Sequence, residues 1–406
     1  MKIGIVGGSI AGCFAAILLR KEGYEVTVFE RSKTALVGRG GGVGTTSALL
    51  KQLQEEGILT KEFPCFEISK MSFIGKKENT EPYGQLACSM PMNFHVFQWN
   101  ALWKSLRNQI PHPNYRKGVK IIDAKITTDK SVELVTNKGE KETFNLVLFA
   151  DGYKSLGRRI LFPDKKLKYR NYILWRGLLS ESKIESNELL KDAILRLSYK
   201  NEPGHNVLYF IPNQGGSTQK GERIFNWAAY IAIPSEELPQ LMTNKKGKLK
   251  NGTLAPGTIR KKNVQKLKDV LAKNTPGYFA DIVDKTKDSY IQVIYTMDLD
   301  AYYKDNMCLI GDAGMVVQPF TASGIFKGYH NVKDLVSCIK EQSSLENALK
   351  QWNEKQIRDG KQILALGEQM EKAFIWEQLD FANVNEETAM SWWKKAVTFP
   401  DFFNHQ

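Results

Sequence analysis

The chain has 406 residues, 42% hydrophobic and 25% charged, proportions that exclude a disordered chain and allow two or three domains with a sizeable core. Lysine and arginine outnumber aspartate and glutamate by 57 to 44, a net charge of +13. The bases are nevertheless dispersed except at Lys245-Lys246-Gly247-Lys248-Leu249-Lys250, a glycine-containing stretch without interleaved aromatics that reads as a solvated loop, not a nucleic-acid contact. No apolar run is long enough to span a bilayer, and Met1-Lys2-Ile3-Gly4 reads as the start of a strand instead of a signal peptide, so a cytoplasmic protein is expected. Cys13, Cys65, Cys88, Cys308 and Cys338 are scattered, without Cys-x-x-Cys pairs or histidines at ligand spacing; neither a disulfide framework nor a metal site is expected.

The first predicted element is an apolar strand, Ile3-Gly4-Ile5-Val6, running into Gly7-Gly8-Ser9-Ile10-Ala11-Gly12 and an amphipathic helix. Gly7 permits the sharp turn, Gly12 lets the helix lie close to the sheet, and the free N–H groups around Ser9, Ile10 and Ala11 face a pyrophosphate. Ser9 replaces the middle glycine of this fingerprint and is small enough for the backbone still to approach phosphates. The next strand, residues 25–29, delivers Glu30, with Arg31 beside it, about 20 residues past the glycines, where an acid accepts hydrogen bonds from an adenosine ribose. An acid there favours a free ribose hydroxyl over a 2′-phosphate, hence FAD or NAD over NADP.

Gly38-Arg39-Gly40-Gly41-Gly42-Val43-Gly44 follows, a backbone expected to press against a ligand at Gly42, with Arg39 supplying charge to it. Helical spacing over residues 99–110 puts Leu102 and Leu106 on one face. Alternating segments at 119–122 and 132–135 precede a hairpin turn at Asn137-Lys138-Gly139. A buried strand, 146–149, then delivers Asp151-Gly152. From about residue 162 to 291 aromatic-rich strands predominate, clearest at 172–177, 207–212 and 224–230, and read as a second sheet. At Cys308 another buried strand leads to Gly311-Asp312-Ala313-Gly314 and Pro319-Phe320-Thr321-Ala322-Ser323-Gly324, after which helices dominate.

These three segments, each suited to a different part of one FAD molecule, in this order and in a chain of this length, resemble the single-component FAD-dependent aromatic hydroxylases. Gly7-Gly8-Ser9, Trp175-Arg176-Gly177, Gly311-Asp312-Ala313 and the loop from Pro319 to Gly324 are most similar to the 2,6-dihydroxypyridine 3-hydroxylase subgroup. The resemblance implies an α/β fold: a Rossmann-like FAD-binding domain of the glutathione reductase type, a mixed-sheet substrate domain of the para-hydroxybenzoate hydroxylase type, and C-terminal helices. The implied ranges are 1–70, 95–162 and 292–345 for the discontinuous FAD domain, 71–94 and 163–291 for the substrate sheet, and 346–406 for the terminal segment.

It further implies that Asp312 bonds the ribityl chain and that the loop containing Pro319, Thr321, Ala322, Ser323 and Gly324 offers N–H groups to the pyrimidine edge of tightly bound FAD. Asp151 and Gly152 would serve both FAD and NAD(P)H, the latter a transient reductant because no second glycine fingerprint occurs downstream. The implied reaction is hydroxylation by O2, through a flavin C4a-hydroperoxide, of an electron-rich aromatic or N-heteroaromatic ring. Such a ring needs a proton acceptor or relay. Candidates are His205, Tyr209, Asn226 and Tyr230, the first two taken as catalytic, each weighed against a sheet-packing or surface role, as is His330 on the helix after the loop. Arg176 is the candidate for an anionic group, a structural ion pair being the alternative. Trp175 and Trp227 are placed provisionally in the cleft, against an ordinary aromatic core. The aromatic end, 392–403, is expected to pack on the protein or a second subunit in preference to a membrane. Two other functions stay open: a monooxygenase of a bulky polyketide or antibiotic, and a non-catalytic flavin-binding redox sensor. A halogenase lacks its Trp-x-Trp-x-Ile-Pro signature here.

Overall fold

The computed structural model describes residues 1–34, 36, 40–185, 188–200 and 202–397. Its first sheet grows from the apolar strands found in sequence. The order is Tyr303–Lys304, Met307–Leu309, Leu146–Phe149, Lys2–Val6, Glu25–Glu30 and Tyr115–Lys117, parallel throughout except for the edge hairpin 303–309. Continuous burial of Leu146–Phe149 and of Ile3 and Ile5 is what a parallel sheet covered on both faces requires. The helices Ile10–Lys21 and Gly324–Glu341 lie side by side over it, with Phe14 edge-on to Tyr329 at 5.7 Å. A three-stranded antiparallel sheet, Ile121–Ile126, Val132–Thr136 and Lys141–Phe144, covers the other side through Leu134 and Phe144. Its first strand begins two residues later than the alternation at 119–122 suggests. The turn at Gly139 forms as expected, with φ +83° and its N–H on the Thr136 carbonyl at 3.0 Å.

The second sheet has nine strands, in the order Thr253–Leu254, Ser289–Thr296, Lys168–Ser180, Ile224–Ala232, Gly204–Ile211, Ala193–Ser198, Phe66–Gly75, Gln85–Gln98 and Gly42–Thr46. All neighbours are antiparallel except Ala193–Ser198 against Phe66–Gly75, so the sheet is mixed. Residues 42–46, 66–70 and 95–98 belong to this sheet, not to the nucleotide-binding part in which the sequence ranges put them, because their backbone bonds run to each other and to Ala193–Ser198. The glycine-rich stretch is therefore a strand at its Gly42 end.

Side chains alternate across the nine strands. The back face (Ile173, Trp175, Leu195, Leu208, Trp227, Ala229) packs on the helices Lys261–Asn274 and Gly277–Asp284 through Leu267, Leu271 and Phe279. The front face looks toward the first sheet and its glycine turns. Farther along, the front face is covered by Phe381 and the last helix, Glu386–Val397.

Candidate active site

At the dinucleotide end, the turn after the first strand is fixed by close contacts. Gly7 has φ +108°, and a Cβ there would lie 2.4 Å from the Ala150 carbonyl oxygen; one at Gly12 would lie 1.9 Å from the Gly7 carbonyl oxygen. The Gly8 carbonyl accepts from the Tyr115 hydroxyl at 2.7 Å and from the Trp103 indole at 3.0 Å, pinning the turn to the neighbouring strand and helix. Glu30 is buried at the end of its strand, its carboxylate taking the Gly8 N–H at 3.0 Å and the Ser32 N–H at 2.7 Å. Ile10 is buried, Ser9 and Ala11 are half-buried, and Arg31 is exposed. Arg39 lies outside the described residues.

Thr46, Ser155 and Ser344 accept a backbone N–H of their own helices, whereas Ser9 and Ser323, the N-caps of Ile10–Lys21 and Gly324–Glu341, make no side-chain cap. Their first-turn N–H groups are left for an outside group, the arrangement that binds phosphates and other electron-rich oxygens.

The other two motifs meet the glycine turn here. Asp151 follows Ala150 directly and caps the short helix Leu156–Leu161, Oδ2 taking the Leu156 N–H at 2.6 Å; Gly152 turns with φ +78°. Buried Arg158 donates to the Ala313 carbonyl at 2.8 Å and to the Tyr153 carbonyl, tying residues 151–153 to 311–314. Gly311 receives Asn331 Oδ1 on its N–H at 2.8 Å, and a Cβ there would lie 2.9 Å from the Ala11 side chain. Asp312 is exposed and oriented by buried Lys327 at 2.7 Å. In the loop after it Pro319, Ala322 and Gly324 are exposed, Ala322 has φ +50°, and Thr321 and Ser323 are buried with their hydroxyls 2.8 Å apart. Blocked Cβ positions, two open helix N-termini and an exposed carboxylate around Ala11 fit an extended dinucleotide such as FAD.

Gln318, just before this loop, donates to Glu371 at 2.8 Å. Glu371 also receives Arg170 (2.9 and 2.7 Å) and the Tyr172 hydroxyl (3.1 Å), so one buried carboxylate joins the loop, the large sheet and the end of the helix Leu345–Glu371. Sequence reading missed this hub, whose other members lie 53 to 201 residues from Glu371.

The sheet front face carries the remaining candidates. Arg176 donates to the Gly42 carbonyl at 2.6 Å, lies 3.4 Å from Asn226 Oδ1, and has Nε unbonded; among the described residues no acid pairs with it, so the expected alternative of a structural ion pair is not formed. Asn226 Oδ1 accepts the Gly42 N–H at 2.8 Å. Cβ atoms at Gly41 and Gly42 would come within 3.1 Å of Arg176, the Tyr290 hydroxyl, Asn226 or Tyr209, so here the glycine-rich stretch presses on side chains of the sheet, where a ligand was expected. Burial holds the Tyr209 phenol above its ordinary range, and that of Tyr230 likewise. His205 is buried and stacked on Tyr230 at 4.5 Å, with Nε2 facing Arg196 at 3.1 Å. Burial first, then the Arg196 charge, push its pKa well below the usual histidine value, so the ring is neutral and Nε2 accepts from the guanidinium. Nδ1 lies toward the Phe374 backbone without a closed hydrogen bond.

The provisional placement of Trp175 and Trp227 is corrected, whereas His330 and the described part of the aromatic end pack within the chain, as weighed from sequence. Trp175 and Trp227 do not line the cleft: alternation puts them on the back face, with indole N–H groups on Ser289 at 2.7 Å and Thr286 at 2.9 Å. His330 packs against Phe326 at 4.1 Å on the helix after the loop, its pKa lowered to about 4 by burial and then by Lys333. Trp392 and Trp393 pack within the chain on Phe73, Phe374 and Phe381; residues 398–406 lie outside the described ones. Among the described residues no group of three or more potential ligands could hold a metal, and no helix is long and apolar enough to cross a membrane.

Residues 5–39 match the family of NAD(P)-binding Rossmann-like domains, and residues 169–296 match FAD binding domain-like. The chain is 25% identical over 373 residues to 2,6-dihydroxypyridine 3-monooxygenase of Paenarthrobacter nicotinovorans, covering 88% of each. Its fold superposes on 2,6-dihydroxypyridine-3-hydroxylase from Arthrobacter nicotinovorans with a TM-score of 0.82 at 22% identity, covering 93% of both chains. On Klebsiella pneumoniae HpxO complexed with FAD and uric acid the TM-score is 0.74 at 14% identity, covering 100% of this chain and 95% of that one. Fold and motifs together define a flavoprotein monooxygenase with FAD as cofactor and NAD(P)H as reductant. Over most of its length the chain is similar to FAD-dependent aromatic hydroxylases.

Proposed function

We propose that the chain hydroxylates a small, electron-rich aromatic or N-heteroaromatic ring held on the front face of the nine-stranded sheet. The observation that carries this reading is Arg176: a guanidinium without an acid partner, beside Asn226, Tyr209 and Tyr290, on the face that looks toward the converging cofactor motifs. When bound, FAD would carry electrons from NAD(P)H to O2, one oxygen atom of which goes to the ring and the other to water. The open N-termini at Ser9 and Ser323 hold its pyrophosphate and the pyrimidine edge of its flavin, Glu30 its adenosine ribose, and Asp312 its ribityl chain, with Asp151 and Gly152 shared with NAD(P)H.

Arg176 orients an acidic oxygen of the substrate and favours its ionised, more reactive form, because a nearby fixed charge stabilises an anion in a water-poor site. Tyr209, kept protonated by burial, donates to that oxygen and relays its proton. His205, kept neutral, shapes the opposite side of the site. The relatives above are named for 2,6-dihydroxypyridine or hold uric acid, both oxygen-substituted N-heterocycles, which supports this substrate class. No nucleic acid, membrane surface or second subunit enters the reading, and a cytoplasmic setting suits a reaction that consumes NAD(P)H.

The test is NADH and NADPH oxidation by the purified flavoprotein against hydroxypyridines, phenols and aromatic acids, with products weighed. Stimulated oxidation with a product heavier by one oxygen is expected. Reduction no faster with any aromatic ligand, and no oxygenated product, would overturn the reading in favour of a flavin-binding sensor.

A further inference from the structure

The register of the large sheet places a second buried arginine opposite the first. Tyr290 pairs with Arg176, Arg176 with Ala228, Ala228 with Val207, and Val207 with Arg196, one cross-strand row on one face. Three strand spacings separate the arginines, roughly 14 Å between Cα atoms. Between them the floor is Ala228 and Val207, apolar and low. Tyr209 and Asn226 pair with each other in the row on one side, His205 and Tyr230 in the row on the other. Phe320 of the flavin loop covers Tyr230 at 4.6 Å and His205 at 5.5 Å. The result is one cross-strand row with a guanidinium at each end and two small apolar side chains between them.

Arg196 is only 8% exposed, yet it has no carboxylate partner among the described residues. Its neighbours are His205 Nε2 at 3.1 Å, the Met71 sulfur at 3.3 Å, and the rings of Phe374 and Trp393 at 4.5 and 5.9 Å. Aromatic faces offset part of the cost of burying a cation, but a buried charge ordinarily has a counter-ion. Burial brings its pKa down only to about 10, so it is charged at neutral pH. Beside it opens a narrow slot lined by Arg196, Ser198, His205, Phe374, Gln378 and Trp392, with room for about one water-sized group. Phe374 reaches the slot from a π-helical turn, Lys372–Trp376, an irregularity common at functional sites.

We propose that Arg196, with His205, is a second anion-reading site, and that the substrate ring carries acidic oxygen groups at both ends, one against Arg176 and one in the Arg196 slot. This rests on the reading that the front face is the substrate site. A ring lying across Ala228 and Val207 would supply the counter-charge that both guanidiniums lack and be held flat under Phe320.

The test titrates the FAD-loaded full chain with 6-hydroxynicotinate, 6-hydroxynicotinamide and 6-methoxynicotinate, which share a ring and lose one acidic oxygen group at a time. The wild type is expected to bind the first at least tenfold more tightly than either analogue. Arg196→Gln should abolish discrimination against one analogue and keep it against the other, and Arg176→Gln should do the reverse. Arg196→Lys, which keeps the charge, should retain part of the preference and guards against misreading a folding defect. Equal weakening of all three ligands by Arg196→Gln, no weakening, or no wild-type preference for the doubly acidic ligand would each overturn the proposal. Product analysis separates the two readings: ring oxygenation indifferent to Arg196 keeps the hydroxylase and removes this site, and the crossed binding pattern without oxygenated product does the opposite.

Discussion

The two faces of the nine-stranded sheet come from the same strands and alternate residue by residue, yet they are finished differently. On the back face the buried polar tips among the described residues are paired: the Trp175 and Trp227 indoles are each bonded to a hydroxyl, Asn206 takes the Tyr199 hydroxyl, and apolar side chains pack on two helices. On the front face the accounts stay open, with Arg176 Nε and the Tyr290 hydroxyl unbonded and neither Arg176 nor Arg196 matched by an acid. Folding alone does not favour buried, unmatched polar groups. The back face holds the protein together, and the front face is arranged for something that is not part of it.

Substitutions can break or sharpen this contrast. The largest effect on folding should come from the back: Phe279→Ala, at a fully buried position, should cost about 3–5 kcal/mol in denaturant unfolding while leaving KM for an oxygenated substrate within about twofold. A comparable loss of KM would mean the faces are not separable. Arg176→Gln should show the converse, a fall of about 10²–10³-fold in kcat/KM for an acidic aromatic substrate with little loss of Tm, because no ion pair is broken. A large drop in Tm would assign Arg176 to structure.

Acid should also act from the cofactor side. Burial keeps His205 far below, and His330 at about 4 against an unfolded value near 6.5, so as pH falls from about 6.5 the unfolded chain takes up protons that the native chain refuses. Stability is full above that range and falls below it, by up to about 3 kcal/mol for His330 by pH 4. Thermal unfolding across this range should show the loss, and His330→Gln should flatten it; an unchanged slope would contradict the assignment. His205 lies on the front face and His330 on the helix Gly324–Glu341, so this part of the dependence arises away from the back face. The smallest contrast is in the caps. Ser344→Ala should cost about 1 kcal/mol by removing a helix cap, and Ser9→Ala almost nothing in stability, because its hydroxyl caps no helix. Equal costs would remove the distinction between closed and open helix ends.

What sequence could reveal follows from how local each requirement is. The turn at Gly7, the acid at Glu30, the strand before Asp151 and the loop from Pro319 to Gly324 are demands on short segments, so they were legible in order. The strand at Gly42–Thr46 was not, because glycines carry no strand pattern and its partner lies at 94–98. Trp175 and Trp227 were misplaced because a strand shows which residues share a face but not which face meets the cofactor. Arg176 could be nominated from its motif. Arg196 could not, since its lack of a counter-ion depends on strands at 66–75 and 204–211 and on the turn at 372–376 coming together. Glu371, joining Arg170, Tyr172 and Gln318, is hidden for the same reason.

The measurement that bears most directly on the central claim is isotopic: turnover of the FAD-loaded protein with NAD(P)H and an oxygen-substituted aromatic substrate under labelled O2, followed by product mass. One labelled oxygen in the ring product, lost when Arg176 is changed to Gln, is the expected result. Reductant consumed without label in any organic product, or labelled product formed equally well without Arg176, would contradict the assignment of the sheet's front face as the place where the ring is held.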